Sequence, residues 1–293
     1  MKLVQIGTVS MIMGIAMSND SMATHFDGIG APFGGCGVPE SLINYPHYLA
    51  LNVQDTPNDY STYLQRPIAD KSRLGLFNNG FNCGRFIRVT LGKYCTGVNS
   101  GMPGKEFCEG GQWVGDEFTG AQQEYIVTDS CQDGNRWCRD DKFHTDLKTE
   151  SLNNFKLNGR TIDVSNKWNN RQVSWEFIEG PQMDLQLYWS QNAQQYWPAI
   201  IIAGVNNAIS EVLENVNGHW QPAKMNSDMG QQYILSGTTG TYEIQVKDIN
   251  GNVYHNRSFK FTFPGDCPNN HCGSNPAYLV RYLNGEEKFL QTE

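Results

Sequence analysis

The chain has 293 residues, enough for two domains of ordinary size or one large one. Hydrophobic residues make up 39% and charged residues 18%, so a packed core is possible and wholesale disorder is excluded. Twenty-two Lys and Arg against 30 Asp and Glu leave a net charge of -8. That argues against a nucleic acid or an anionic membrane as partner, because both demand a basic excess.

Residues 1–18, MKLVQIGTVSMIMGIAMS, carry one Lys, an uncharged apolar run and then Ala16-Met17-Ser18. Small residues before the end of such a run predict a secretory signal peptide cleaved after Ser18. No later run is long enough to span a bilayer; residues 199–205 have only the length of a buried strand. The eight cysteines are Cys36, Cys83, Cys95, Cys108, Cys131, Cys138, Cys267 and Cys272. An even number in an exported chain favours disulfides over free thiols. The spacing Cys267-Pro-Asn-Asn-His-Cys272 resembles half a zinc site, but zinc takes about four ligands. With no second pair at metal spacing, a short staple and no metal are expected.

The part before residue 180 holds most of the cysteines and long polar insertions, such as 96–123. Short helices are predicted at 39–44 and 145–152. Strands are predicted at 85–91, 123–128 and 171–178, which are rich in β-branched and aromatic residues, the last with clean alternation. Gly180-Pro181 marks a boundary. Beyond it, strand patterns at 184–189, 199–205, 209–216, 241–247 and 257–263 follow at short intervals and predict a small β-sandwich. Asn217-Gly218 and Asn250-Gly251 predict type I′ hairpin turns, because both residue types tolerate positive φ.

No nucleophile elbow, zinc helix motif or phosphate loop occurs. Gly34-Gly35-Cys36-Gly37 lacks the strand, the helix and the Lys of a phosphate loop and is read as close backbone packing. Carboxylates and aromatics remain. Asp27, Asp129 and Asp146 stand at predicted strand ends or in turns, where an Asp is most often a cap. Three of them converging on one groove would suit polysaccharide chemistry, in which one carboxyl donates a proton and an opposed carboxylate activates water.

Four motifs in order give a resemblance to a known family. These are 23–28 (Ala-Thr-His-Phe-Asp-Gly) with Gly34-Gly35-Cys36-Gly37; Asn82-Cys83-Gly84-Arg85; Val127-Thr128-Asp129; and His144-Thr145-Asp146-Leu147. Over residues 23–264 the chain resembles the expansins, and among them the microbial expansin-like proteins. The resemblance implies a mainly β chain: a six-stranded double-psi β-barrel of the kind used by glycoside hydrolase family 45 over residues 19–180, then an immunoglobulin-like, cellulose-binding β-sandwich over 181–264. It leaves 265–293 as a tail, read here as a cap on the sandwich edge. It implies a secreted protein that needs no cofactor and loosens cell-wall polysaccharide without hydrolysis. The expected partner is cellulose or another plant cell-wall glucan or xylan, met as a monomer. The net negative charge should weaken adhesion to acidic pectin.

Carried over by position, Thr24, Asp129 and Asp146 match polar residues of the family's groove, Asp146 at the place of the general acid in the related hydrolases. Two residues after Asp129 an aromatic is often found; here it is Cys131, and Tyr125 on the same strand is not a motif match. Tyr196 and Trp197 resemble the aromatics of the cellulose-binding surface. As strand neighbours they would point oppositely unless a bulge intervenes. The third aromatic has no clean match, Tyr233 being expected in the core and Trp189 being a substitute by strand parity. The alternatives are an inverting endoglucanase on the same barrel, for which Asp27 would be the base, and a purely carbohydrate-binding module. Asp27 sits one residue short of the hydrolase pattern, which turns its side chain to the other face of the strand.

The resemblance also implies a disulfide between Cys36 and Cys83. Locality then suggests Cys95 with Cys108 and, across a turn-rich segment, Cys131 with Cys138. Cys267 and Cys272 are left for each other.

Overall fold

The computed structural model describes residues 19–280 apart from positions 31, 62, 132–133, 170, 238–239, 266, 268–271 and 273–276. The expected signal peptide and the last 13 residues of the tail lie outside the described residues.

Six strands close a barrel: β1 (Asn19–Phe26), β2 (Tyr48–Asn52), β3 (Phe86–Leu91), β4 (Gln122–Cys131), β5 (Thr145–Lys148) and β6 (Gln172–Ile178). Their order around the barrel is β2-β5-β1-β6-β3-β4, and β4 returns to pair with β2. The β1–β5 and β2–β4 pairs are parallel and the rest antiparallel. Parallel neighbours need long crossovers, which is why extended loops separate the short strands. This is the expected double-psi barrel. Ala23, Leu49, Leu51, Ile87, Val89, Val127, Leu147, Val173 and Trp175 fill it, every second residue along a strand turning inward.

The helix predicted at 145–152 does not form as such. Thr145–Lys148 is strand β5, and only Thr149–Asn153 turns, as a 3-10 helix. Thr145 and Leu147 are fully buried while Asp146 and Lys148 are half-buried; pairing with β1 and β2 on both sides overrides local propensity. The other predicted helix shrinks to a 3-10 turn, Glu40–Leu42. Between Cys131 and Cys138 the chain enters a short α-helix, Arg136–Asp140, capped by the Asn135 side chain on the Trp137 N–H.

The polar insertion after β3 is a built element. Tyr94–Cys95 pairs with Trp113–Val114, and the Cys95–Cys108 disulfide ties the loop at its base. Its anchor is Asp116, which accepts a bidentate pair of hydrogen bonds from the fully buried Arg171. Burial alone would raise the Asp116 pKa, but the Arg171 hydrogen bond and charge outweigh it and hold the carboxyl below its usual range.

The second unit is a sandwich. One sheet runs Lys224–Asn226, Met229–Ile234, Ala199–Ala203, Gln186–Ser190, Ala277–Leu279; the other runs His219–Pro222, Ile209–Val216, Thr241–Asp248, Phe259–Thr262. Trp189, Ile200, Ile202, Val212, Ile244 and Phe261 pack between them. The sandwich continues past residue 264: tail residues Ala277–Leu279 add an edge strand to Gln186–Ser190, and Cys267, Cys272 and Val280 join its core. Asn217 and Gly218 both have positive φ, as a type I′ turn requires. At Asn250-Gly251 only Gly251 does. There the Asp248 carboxylate gathers the N–H groups of Asn250 and Asn252, making a wider turn.

All four disulfides pair as expected: Cys36–Cys83, Cys95–Cys108, Cys131–Cys138 and Cys267–Cys272, with Cα separations of 5.6, 5.5, 6.0 and 4.6 Å. Four such bonds fit a protein that folds in an oxidising compartment. No helix among the described residues is long and apolar enough to cross a membrane.

Candidate functional site

Register brings the predicted groove residues together. Thr24 of β1 lies beside Asp146 of β5, Asp146 beside Ala50 of β2, and Ala50 beside Asp129 of β4. The four form one lateral row across neighbouring strands. Strands stand about 4.8 Å apart, so the two carboxylates rise on either side of a single methyl group.

Thr24 Oγ1 lies 2.7 Å from Asp146 Oδ1 and 2.8 Å from His144 Nε2. The hydroxyl has one proton. Given to an ionised Asp146, it leaves Thr24 to accept from His144, which fixes the imidazole with its proton on Nε2. His144 is wholly buried, and its Nδ1 has no hydrogen-bond partner, lying 3.9 Å from Asp141 Oδ2. Burial pushes the Asp146 pKa up, offset only in part by His144, the Thr24 hydroxyl and His25.

Asp129 is held differently. Its Oδ1 accepts from the backbone N–H of Gly35 at 2.6 Å and of Ser130 at 2.8 Å. The double glycine permits this approach: a Cβ on Gly35 would stand 2.3 Å from Ser130 Oγ, and one on Gly34 3.1 Å from Asp129 Oδ1. Close backbone packing is thus the role of that motif, and the Cys36–Cys83 disulfide locks it. Burial raises the Asp129 pKa, the two N–H groups pull it back, the Asp146 charge adds to the rise, and Arg66 lowers it; the net direction is up.

Arg66 escaped the sequence reading. Its Nε donates to Asp228 Oδ2 of the sandwich at 2.6 Å, and its Nη2 lies 3.3 Å from Ser130 Oγ. Beside it, Gln231 N donates to Cys36 O and Gln232 Nε2 to Gly37 O. The segment that supplies no third aromatic therefore packs against the glycine turn under Asp129. No motif marks Arg66; only the tertiary contact does.

Other predicted residues lie elsewhere. Asp27 is exposed and accepts from Thr149 Oγ1, which also meets His25 Nδ1. His25, the strand neighbour of Thr24, has the opposite parity, and Asp27 lies just past the end of β1. Tyr125 is core, its hydroxyl paired with Ser151. Trp189 cannot substitute for the missing aromatic: it is 0% exposed and packs against Tyr242, Phe261 and Phe263. Parity put it on the inner face, where a large apolar ring gains most from leaving water. Tyr233 is also core, as expected.

Tyr196 is 77% exposed and Trp197 partly so. Neither lies within the strand. They sit in a tight turn closed by reciprocal Gln194 and Trp197 backbone bonds, with the strand starting at Ala199. Alternation does not govern a turn, so no bulge is needed for both rings to reach solvent.

Cys131 Sγ, Cys138 Sγ and a His144 ring nitrogen lie within 4.8 Å of one another. The two sulfurs are joined in a disulfide and offer no thiolate to a metal.

No family model matches the sequence, and no curated protein does. Among solved structures, the chain is similar to an expansin of Clavibacter michiganensis, a mutant form in complex with cellohexaose. The likeness covers 83% of this chain and 90% of that one, at 16% identity and a TM-score of 0.51. The apo form of the expansin from the same organism gives 17% identity, the same coverage and a TM-score of 0.49. The fold is therefore the expansin fold, a closed six-stranded barrel followed by a β-sandwich.

Proposed function

We propose that the protein is a secreted, expansin-like protein that binds cellulose or a related β-glucan and loosens polysaccharide contacts without hydrolysing them. The observation that carries this reading is the row Thr24–Asp146–Ala50–Asp129 on a barrel of the expansin fold. Charged carboxylates bond sugar hydroxyls more strongly than neutral acceptors do, and both flank Ala50, which is buried beneath Phe26 and the Cys131–Cys138 disulfide. Tyr196 and Trp197 supply flat rings for stacking on sugar C–H faces. The four disulfides support export.

Asp146 has the burial and the raised pKa of a general acid, so hydrolysis is the second reading. It needs an opposed base about 6.5–9.5 Å away in an inverting enzyme. Asp27 is exposed past the end of β1 and engaged with Thr149, and Asp129 is tied to two backbone N–H groups. Both arrangements favour a gripping role over a catalytic one.

The test pairs a mechanical and a chemical assay. Wild type should weaken cellulose paper or extend wall strips while releasing no reducing sugar. Steady release of reducing ends would make the protein an endoglucanase. Binding with no mechanical effect would make it a carbohydrate-binding module.

A further inference from the structure

A cavity of about 950 Å³ opens beside the groove, between the polar insertion and the outer ends of β1 and β6. Pockets of this size hold ligands rather than single waters. Its wall belongs to the insertion: Glu106, Phe107 and Trp113 line it. The wall is rigid. Trp113 pairs with Cys95, which is bonded to Cys108, and Phe107 lies under the Arg136 guanidinium, 4.8 Å from its ring centre. Arg136 is itself held by Asp140 and by the Met102 carbonyl.

The lining is two-sided in character. Phe107 and Trp113 are half-exposed rings, whereas the side chains of Asp20, Lys93 and Glu106 have no partner among the described residues. Both charge signs are present, so the site does not select a phosphate or a polycation. Apolar ring faces beside free donors and acceptors suit a pyranose, whose faces are apolar and whose rim is hydroxyl.

The cavity lies next to the groove residues along β1. Met22 lines it and stands two residues before Thr24 on the same strand face, about 7 Å away. Asp141 lines it as well; its Oδ2 accepts from Met22 N at 2.7 Å and faces His144 Nδ1. One strand repeat therefore separates the cavity from the Thr24–Asp146 pair.

We infer that the cavity is a set of additional sugar subsites, in which the insertion receives the continuation of a β-1,4-linked pyranose chain lying across Asp146. This rests on the glucan-binding reading of the groove. It makes the insertion a length sensor: short oligosaccharides fill the groove alone, and longer ones reach Trp113.

The test is calorimetric titration of the full chain with cellotriose and cellohexaose. Wild type should bind the hexamer at least about tenfold more tightly than the trimer. Trp113→Ala should remove that advantage and leave trimer binding unchanged. The double variant Asp20→Asn, Glu106→Gln keeps the ring wall and should remove several-fold of it, which guards against misfolding of the insertion in Trp113→Ala. Hexamer affinity equal to wild type in both variants overturns the inference while leaving the groove intact. Failure of wild type to bind either oligosaccharide, together with failure to bind insoluble cellulose, overturns the glucan-binding reading itself.

Discussion

Asp146 and Asp129 stand in one lateral row of the barrel with only Ala50 between them, although 17 positions and a disulfide loop separate them along the chain. Each carboxylate has a different tether, a threonine hydroxyl for Asp146 and two backbone N–H groups for Asp129. Asp129 is therefore held by two main-chain donors and Asp146 by a single side-chain donor.

Replacing Asp146 by Asn keeps the size and an acceptor for Thr24 but removes the charge. Asp146→Asn should abolish most mechanical loosening and leave pull-down on insoluble cellulose nearly unchanged. Equal loss of binding and loosening would show that the groove contributes affinity alone.

The two carboxyls also set a pH dependence. Both have folded pKa values raised above the unfolded value of about 4. Their neutral forms favour the fold, so their contribution is complete below that value and is lost as pH rises through the raised pKa. The thermal midpoint of Asp146→Asn should therefore gain on wild type as pH rises from about 4 through the raised pKa. A gap independent of pH over that range would count against a desolvated Asp146.

The aromatics separate by location. Trp197→Ala should weaken cellulose binding by about 1–3 kcal/mol, by analogy with other aromatic stacking, with little change in thermal midpoint. Trp189→Ala should instead cost about 3–5 kcal/mol of stability as a core truncation. Denaturant unfolding and cellulose depletion, run on both variants, check the assignment; a stability loss in Trp197→Ala without specific binding loss would move that ring to the core.

The disulfides differ in what they constrain. Cys36–Cys83 spans 47 positions and Cys267–Cys272 spans five. In the chain-entropy model, replacing the first pair by Ser should cost roughly 4 kcal/mol, and replacing the second should cost less. Urea midpoints of the two double variants give the comparison, and non-reducing peptide mapping checks the pairing directly.

The buried pair Asp116–Arg171 anchors the insertion. Asp116→Ala strands a buried guanidinium and should cost about 3–5 kcal/mol. Accelerated proteolysis within 96–123 would place the damage in the insertion.

The β-branched and aromatic content of 85–91, the alternation in 171–178, the Asn217-Gly218 turn and the even number of cysteines each reflect local chemistry, and each was legible in the sequence. That Thr24, Asp129 and Asp146 would come together was an expectation of the family resemblance, and the strand register does bring them into one row. The helix expected at 145–152 failed where neighbouring strands on both sides claimed the backbone of Thr145–Lys148. Trp189 and Tyr196 look alike as aromatics in one short segment, yet one is fully buried and the other largely exposed. Which face of a strand meets the second sheet, and where a strand gives way to a turn, depend on residues far along the chain. The same holds for Arg66, which meets Asp228 across 162 positions, and for the cavity between the insertion and β1. Local propensity is encoded residue by residue, whereas burial, register and the meeting of distant side chains are properties of the packed whole, and only the tertiary structure decided them.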